Sequence, residues 1–279
     1  MPRRTVRIGA VEIGGEDRAA FTILAGPCVV ESLELCQRVA DTLTTLGRRH
    51  GVPVVFKASY TKANRSSLQS FTGLGRDEGL RILQRIREEF GAPVLSDVHC
   101  REEIPAAAEV LDILQIPAFL CRQTALLQAA AATGKPVNVK KGQFLAPADM
   151  QLAAEKVSAA GDGGVLLTER GTSFGYGDLV VDMRSLVILR ETGWPVVYDI
   201  THSQQRPGGA ETRGGREFAV PVARAAVAVG IDALFFETHP DPASGLSDRE
   251  TMLPLAMVDS MMTSLLALHR AGQETRAHV

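Results

Sequence analysis

Cysteine is scarce in this sequence: Cys28, Cys36, Cys100 and Cys121 are the four in 279 residues, with no CxxC spacing. That excludes a disulfide framework and leaves any special cysteine as a ligand or a nucleophile. An excess of one charge is also missing. Lysine and arginine total 30 against 32 acids, so the balance offers nothing to nucleic acid or to an anionic membrane, and a cationic cluster has to be local. Long apolar runs are absent as well. The first twenty residues, MPRRTVRIGAVEIGGEDRAA, carry paired arginines but no apolar core of signal-peptide length, and the most apolar late stretch is broken by Arg224 and Asp232. The expectation is a cytoplasmic protein with no membrane segment.

What is present is 45% hydrophobic residues, enough for a substantial core, in a pattern that repeats. Short β-branched runs at 21–26, 53–58, 93–98, 111–116, 136–140, 164–168, 195–199 and 233–238 alternate with amphipathic or alanine-rich segments. Those segments predict helices at 32–50, 76–90, 101–109, 122–133, 148–160, 182–191, 215–230 and 254–271. Consecutive βα units around a parallel sheet give this alternation, and eight of them predict an α/β chain folded as a (β/α)8 TIM barrel. A doubly wound sheet would carry a glycine-rich dinucleotide turn after its first strand, where this chain has GPCVVES. The chain reads as a single domain over 1–279, with 1–20 as an extension and 21–271 as the barrel. Residues 3–12 alternate weakly and predict a hairpin that plugs the N-terminal end.

Barrel active sites lie at the C-terminal ends of the strands, and those ends are unusually polar here. The last strand closes against the first, so the ends of strands 7, 8 and 1 become neighbours. His202, Glu237 and Cys28 are therefore expected to converge, with Asp248 able to add a fourth ligand. A thiolate, an imidazole and carboxylates suit one divalent ion: Zn²⁺, Fe²⁺ or Mn²⁺. The opposite rim is cationic, with Lys57, Lys62 and Arg65 after strand 2, Lys140 after strand 5 and Arg170 after strand 6. So many cations facing one cavity predict two anionic substrates, phosphates above all. Cys36, Cys100 and Cys121 read as packing residues, His239 as a supporter of the ligands, and the Phe174–Gly175–Tyr176 run as loop packing.

The stretches FKASYTKANRSS (56–67), QIPAFLCRQT, NVKKGQF, TERGTSFGYG, DITHS and FETHPDP closely resemble those of the 3-deoxy-D-manno-octulosonate 8-phosphate synthases, also called 2-dehydro-3-deoxyphosphooctonate aldolases, over about residues 21 to 258. KANRSS is the most specific part, since the related heptulosonate-phosphate synthases look like KPRTS there. The resemblance implies a condensation of phosphoenolpyruvate with arabinose 5-phosphate in lipopolysaccharide precursor synthesis. It implies that Lys57, Lys62, Gln115, Lys140 and Arg170 hold phosphoenolpyruvate, and that Asn64, Arg65 and Ser66 hold the acceptor. Arg122 and Gln123 are implied to reach in from a neighbouring subunit of a homo-oligomer, a tetramer. Cys28 after GP resembles the metal-dependent class, and His202, Glu237 and Asp248 stand at its ligand positions. Lys62, Asn64, His99, Lys140 and Asp248 are the implied catalytic set, with His99 and Asp248 as participants in proton transfer. Thr61, Thr72 and Ala125 depart from the family pattern, and the loop 206–218 is shorter; none of these removes a ligand or a phosphate clamp. An erythrose 4-phosphate or unphosphorylated acceptor, or a barrel that binds sugar phosphates without turnover, are the alternatives.

Overall fold

The computed structural model describes residues 2–16, 21–64, 67, 69–206 and 213–276. Eight parallel strands close into a barrel: β1 (Thr22–Gly26), β2 (Val54–Lys57), β3 (Val94–Asp97), β4 (Ile113–Ile116), β5 (Val137–Lys140), β6 (Val165–Glu169), β7 (Val196–Asp199) and β8 (Ala233–His239). Each pairs with its sequence neighbours, and β8 pairs in parallel with both β7 and β1, which completes the ring. The strands are buried on both faces, as parallel strands covered by helices must be, and this is why they read as near-continuous apolar runs.

The helices α1 (Leu33–His50), α2 (Arg76–Phe90), α3 (Ile104–Val110), α4 (Thr124–Ala131), α5 (Met150–Ser158), α6 (Arg184–Glu191), α7 (Ala219–Val229) and α8 (Val258–Arg276) follow the strands in turn. Local chemistry sets their ends. Ser32 caps α1 by accepting the amide of Leu35 at 3.1 Å, and Gly51 ends it in the left-handed region at φ 66°. Six helices begin two to four residues later than the periodicity predicts. For α5, α7 and α8 the preceding residues form single 3-10 turns at Pro147–Asp149, Arg216–Phe218 and Leu255–Met257, tighter winding that alternation of side chains does not distinguish from α-helix. For α3 the delay is a turn over 101–103. A hairpin in the loop after β6 pairs Thr172–Phe174 with Asp178–Val180. It corrects the expectation for Phe174 and Tyr176, which project into solvent from that hairpin instead of packing.

Two cores result. The larger lies between sheet and helices. The smaller fills the lower half of the barrel with Leu24, Val55, Leu95, Ile113, Leu166, Val197 and Phe235, and it is sealed from beneath by Val6, Ile8 and Ile13. Those three come from the N-terminal hairpin, Thr5–Ile8 paired with Val11–Gly14, two residues longer at its C-terminal end than the alternation predicts. Arg4 stacks on Trp194 at 4.1 Å and Arg3 pairs with Asp232, which fastens the hairpin to the loops that enter β7 and β8. Ile13 is wholly buried, so Ile13→Ala is expected to cost about 2–5 kcal/mol of stability. Urea unfolding checks this, and a loss within experimental error would show that the hairpin only rests on the barrel.

Candidate active site

At the C-terminal end, β8 lies between β1 and β7 and brings three loops together. Gly26 ends β1 where a side chain would strike the Lys57 carbonyl, 2.0 Å from the position of a Cβ, so only glycine lets β1 and β2 deliver the next turn closely packed. That turn carries Cys28. Its sulfur, a Glu237 oxygen from β8 and an Asp248 oxygen from the following loop all lie within 4.8 Å of one another. His202, on a one-turn helix after β7, points Nε2 at the same place, 3.6 Å from Glu237 and 3.8 Å from Asp248. Its Nδ1 lies 2.7 Å from Asp199 Oδ2. With Nδ1–H donated to that carboxylate, Nε2 offers its lone pair, the usual arrangement behind a ligating histidine.

Glu237 is divided between two tasks. Its Oε1 accepts from Lys57 Nζ at 2.5 Å and lies 3.7 Å from Lys62 Nζ. Its Oε2 is buried with no hydrogen-bond partner among the described residues. A buried, ionised oxygen without a partner is costly, and the carboxylate that carries it lies beside Cys28, Asp248 and His202 Nε2. The donor set and the orphaned oxygen both fit a divalent cation. Burial, then Asp248 and Glu237, push the Cys28 thiol up, so thiolate chemistry there needs a positive partner. Burial opposes ionisation of Glu237, yet Lys57, His202 and Lys62 outweigh it and hold the carboxyl well below its ordinary range.

The cavity beside this cluster is about 330 Å³ and takes in Lys57, Lys62, Asn64, His99, Gln115, Lys140, Arg170, His202 and Asp248 from the sequence-predicted set. Lys57 spends its ammonium on Glu237 and on the Cys28 carbonyl at 3.0 Å. Lys140 donates to Asp199 at 2.5 Å and lies 3.4 Å from His202 Nδ1. Burial lowers the Lys140 pKa, and Lys57 lowers it further against the pull of Asp199. Arg170 donates Nη2 to Gln205 at 2.8 Å, while its Nη1 is buried and unpartnered among the described residues. Arg122 and Gln123 are exposed and do not line this chain's cavity. Arg65 and Ser66 lie outside the described residues. Lys141 is wholly buried and reaches the Gly142, Leu145 and Gly171 carbonyls and Thr172, so it pins loops together and does not face the cavity.

Sequence reasoning missed several residues. Gln205 bridges Arg170 to Asp248, donating to the latter at 3.1 Å, and Gln143 also lines the cavity. Their place in the loops after β7 and β5 was the available signal. Asp97, at the end of β3, is another. It is the terminus of a hydrogen-bonded belt around the barrel: Thr168 donates to Asn138 at 2.6 Å, Asn138 to Gln115 at 2.8 Å, and Gln115 to Asp97 at 2.5 Å, while Ser59 donates from the other side. All donors run toward one carboxylate, so each bond polarises the next and the Gln115 amide has a single orientation.

Residues 4–273 match the DAHP synthetase I family, and the 2-dehydro-3-deoxyphosphooctonate aldolase of Trichlorobacter lovleyi is 54% identical over 267 residues, 95% of this chain and 97% of that protein. The chain belongs to the 2-dehydro-3-deoxyphosphooctonate aldolase family. It is therefore an enzyme of aldol type that forms a carbon–carbon bond. Aldolases of the same name from Acidithiobacillus ferrooxidans, 55% identical over 88% of each chain, and Magnetococcus marinus, 50% identical over 99% of this chain and 96% of that one, agree. Among the described residues of this aldolase-family chain, no helix is long and apolar enough to cross a membrane.

The belt makes a pH prediction. Burial opposes ionisation of Asp97, but Lys57, Lys62, His99 and Lys140 outweigh it and hold the carboxyl below its ordinary range. An unfolded aspartate titrates near ~3.9. A folded value below that stabilises the protein fully above the unfolded value, and the contribution disappears as pH falls from there through the folded value. The unfolding free energy is thus expected to drop below about pH 4, and less steeply in Asp97→Asn. Parallel curves for the two proteins would remove Asp97 from the acid response.

Proposed function

We propose that this chain condenses phosphoenolpyruvate with D-arabinose 5-phosphate, giving 3-deoxy-D-manno-octulosonate 8-phosphate and inorganic phosphate for lipopolysaccharide precursors. We further propose that it works as a cytoplasmic, single-domain homotetramer that uses one divalent ion. The observation that carries this reading is a single cavity in which a cationic rim, with an unspent Arg170 nitrogen, adjoins a thiol–imidazole–carboxylate cluster with an orphaned Glu237 oxygen. The relatives' shared name supplies the product.

Cys28, His202, Glu237 and Asp248 would hold Zn²⁺, Fe²⁺ or Mn²⁺, an ion that supplies Lewis acidity toward a carbonyl oxygen or activates water. Lys62, Lys140, Arg170 and Gln115 fix the carboxylate and phosphate of phosphoenolpyruvate, so that one face of its C3 meets the aldehyde. Lys57 sets the charge of the same corner while it anchors Glu237. Asn64, with Arg65 and Ser66, takes the acceptor. As the C3–C1 bond forms, positive character grows at C2, water adds there, and the C–O bond to phosphate breaks. The aldehyde oxygen becomes an alkoxide that needs a proton, and His99 and Asp248 are the cavity groups suited to hold or pass one.

Phosphate release from phosphoenolpyruvate with arabinose 5-phosphate, erythrose 4-phosphate or a mannose-type sugar, each with and without a chelator, tests acceptor and metal together. Turnover is expected with arabinose 5-phosphate, abolished by the chelator and restored by Zn²⁺, Fe²⁺ or Mn²⁺. A preference for erythrose 4-phosphate would reassign the acceptor, and full activity after metal stripping would remove the ion from the reaction.

Arg122 and Gln123, exposed on their own chain, are assigned to a neighbour's acceptor-phosphate site. Arg122→Ala and Lys140→Ala chains should each be nearly inactive, and co-refolded mixtures should regain roughly a quarter of the sites, given one neighbour per site. Hybrids that contain both chains yet stay inactive would place Arg122 outside a shared site.

A further inference from the structure

In the lower barrel core every buried residue but one is aliphatic among the described residues: Phe235, on β8, is the single aromatic ring, and it is wholly buried. That ring lies beneath two lysine ammonium groups. The Lys140 ammonium is 3.6 Å from the ring centroid and the Lys57 ammonium 5.4 Å. The His202 ring stands 5.8 Å away, tilted by 48°.

The rest of the layer is leucine, isoleucine, valine and alanine, so a ring is the exception there, and the exception sits under the two charges. Two ammonium groups share this floor, and each has one carboxylate, Asp199 for Lys140 and Glu237 for Lys57. Lys57 also donates to the Cys28 carbonyl, and both lysine side chains are almost wholly buried. A ring face carries negative potential and attracts a cation within about 6 Å, most strongly where water is excluded. It also supplies that potential without a proton to exchange or a side chain to swing. The ring is seated in the cluster that Val6, Ile8 and Ile13 of the N-terminal hairpin complete, so its plane is held from below.

We propose that Phe235 is a positioning residue for the reaction: its π face is the floor that fixes the Lys140 ammonium, and to a lesser degree that of Lys57, in the place from which the lysine meets phosphoenolpyruvate. The proposal rests on the assignment of Lys140 to that substrate under the reading above. The N-terminal hairpin thereby acts on the chemistry at the opposite end of the barrel, through one ring.

The test changes the ring's electrons and keeps its shape. Phenylalanine bearing one, two or three fluorines is placed at position 235 of the full-length, metal-loaded protein. Phosphoenolpyruvate affinity is measured by calorimetry, with KM for both substrates and kcat. The expected result is a stepwise loss of phosphoenolpyruvate affinity with each fluorine, reaching about tenfold for three. The arabinose 5-phosphate KM and the melting temperature should stay unchanged, and Phe235→Leu should raise the phosphoenolpyruvate KM to a similar extent. On a Lys140→Ala background most of the fluorine trend should vanish. A flat series, with the Lys140→Ala defect present, overturns the role of the ring and leaves the Lys140 assignment standing. If Lys140→Ala binds phosphoenolpyruvate as the unaltered protein does, both the assignment and the proposal fail. Losses that follow the melting temperature instead of the fluorine count also overturn it, since they would make Phe235 a packing residue alone.

Discussion

The backbone hydrogen bonds that join β8 to β1 on one side and to β7 on the other are the constraint on which the rest depends. An open sheet of the same eight strands would leave the β1 turn and the β7 loop at opposite edges, a sheet's width apart. Closure makes β8 their common neighbour, and Cys28, His202 and Glu237 then meet although 174 residues separate the first two. Closure also creates the interior that the aliphatic layer and the hairpin must fill. The filled lower half and the polar upper half are two outcomes of one ring of hydrogen bonds.

The upper half is stable only because its charges are matched. Lys57 with Glu237, Lys140 with Asp199, and Asp97 within its belt are ionised groups removed from water, and such burial is costly unless partners are close and well directed. Lys57 and Lys140 each have a carboxylate, and Asp199 and Asp97 carry additional hydrogen bonds from backbone or side chains. The exceptions are informative. One oxygen of Glu237 and one nitrogen of Arg170 are buried without partners among the described residues. The first is negative, on a carboxylate beside Cys28, His202 and Asp248; the second is positive, on a residue that lines the cavity. Their signs are those that a cation and an anionic substrate would satisfy.

Much of this was legible in the sequence. The eight strands could be read because both of their faces are buried, so their composition is uniform and β-branched, and a proline or glycine precedes several of them. The meeting of Cys28, His202 and Glu237 could be read because strand order alone makes β7, β8 and β1 neighbours. The belt could not. Asn138 and Thr168 look like ordinary polar residues in apolar strands, and nothing local says that their side chains point inward and join across four strands. Gln205 and Gln143 were hidden by their neutrality, since a search for charge passes over amides. The hairpin after β6 went unread because its strands are three residues long and largely exposed, which leaves no periodic signal. Helix starts slipped where a 3-10 turn preceded the α-helix, as at Arg216–Phe218.

Asp248 has a backbone φ of 46°, the only positive value at a residue other than glycine among the described residues. That region tolerates glycine, and asparagine or aspartate far better than other side chains. The conformation of the loop thus narrows the alphabet at this position to three letters, and the divalent ion proposed above would select the one that brings a negative oxygen to the cluster. Two unrelated filters, steric and ionic, agree on the same residue.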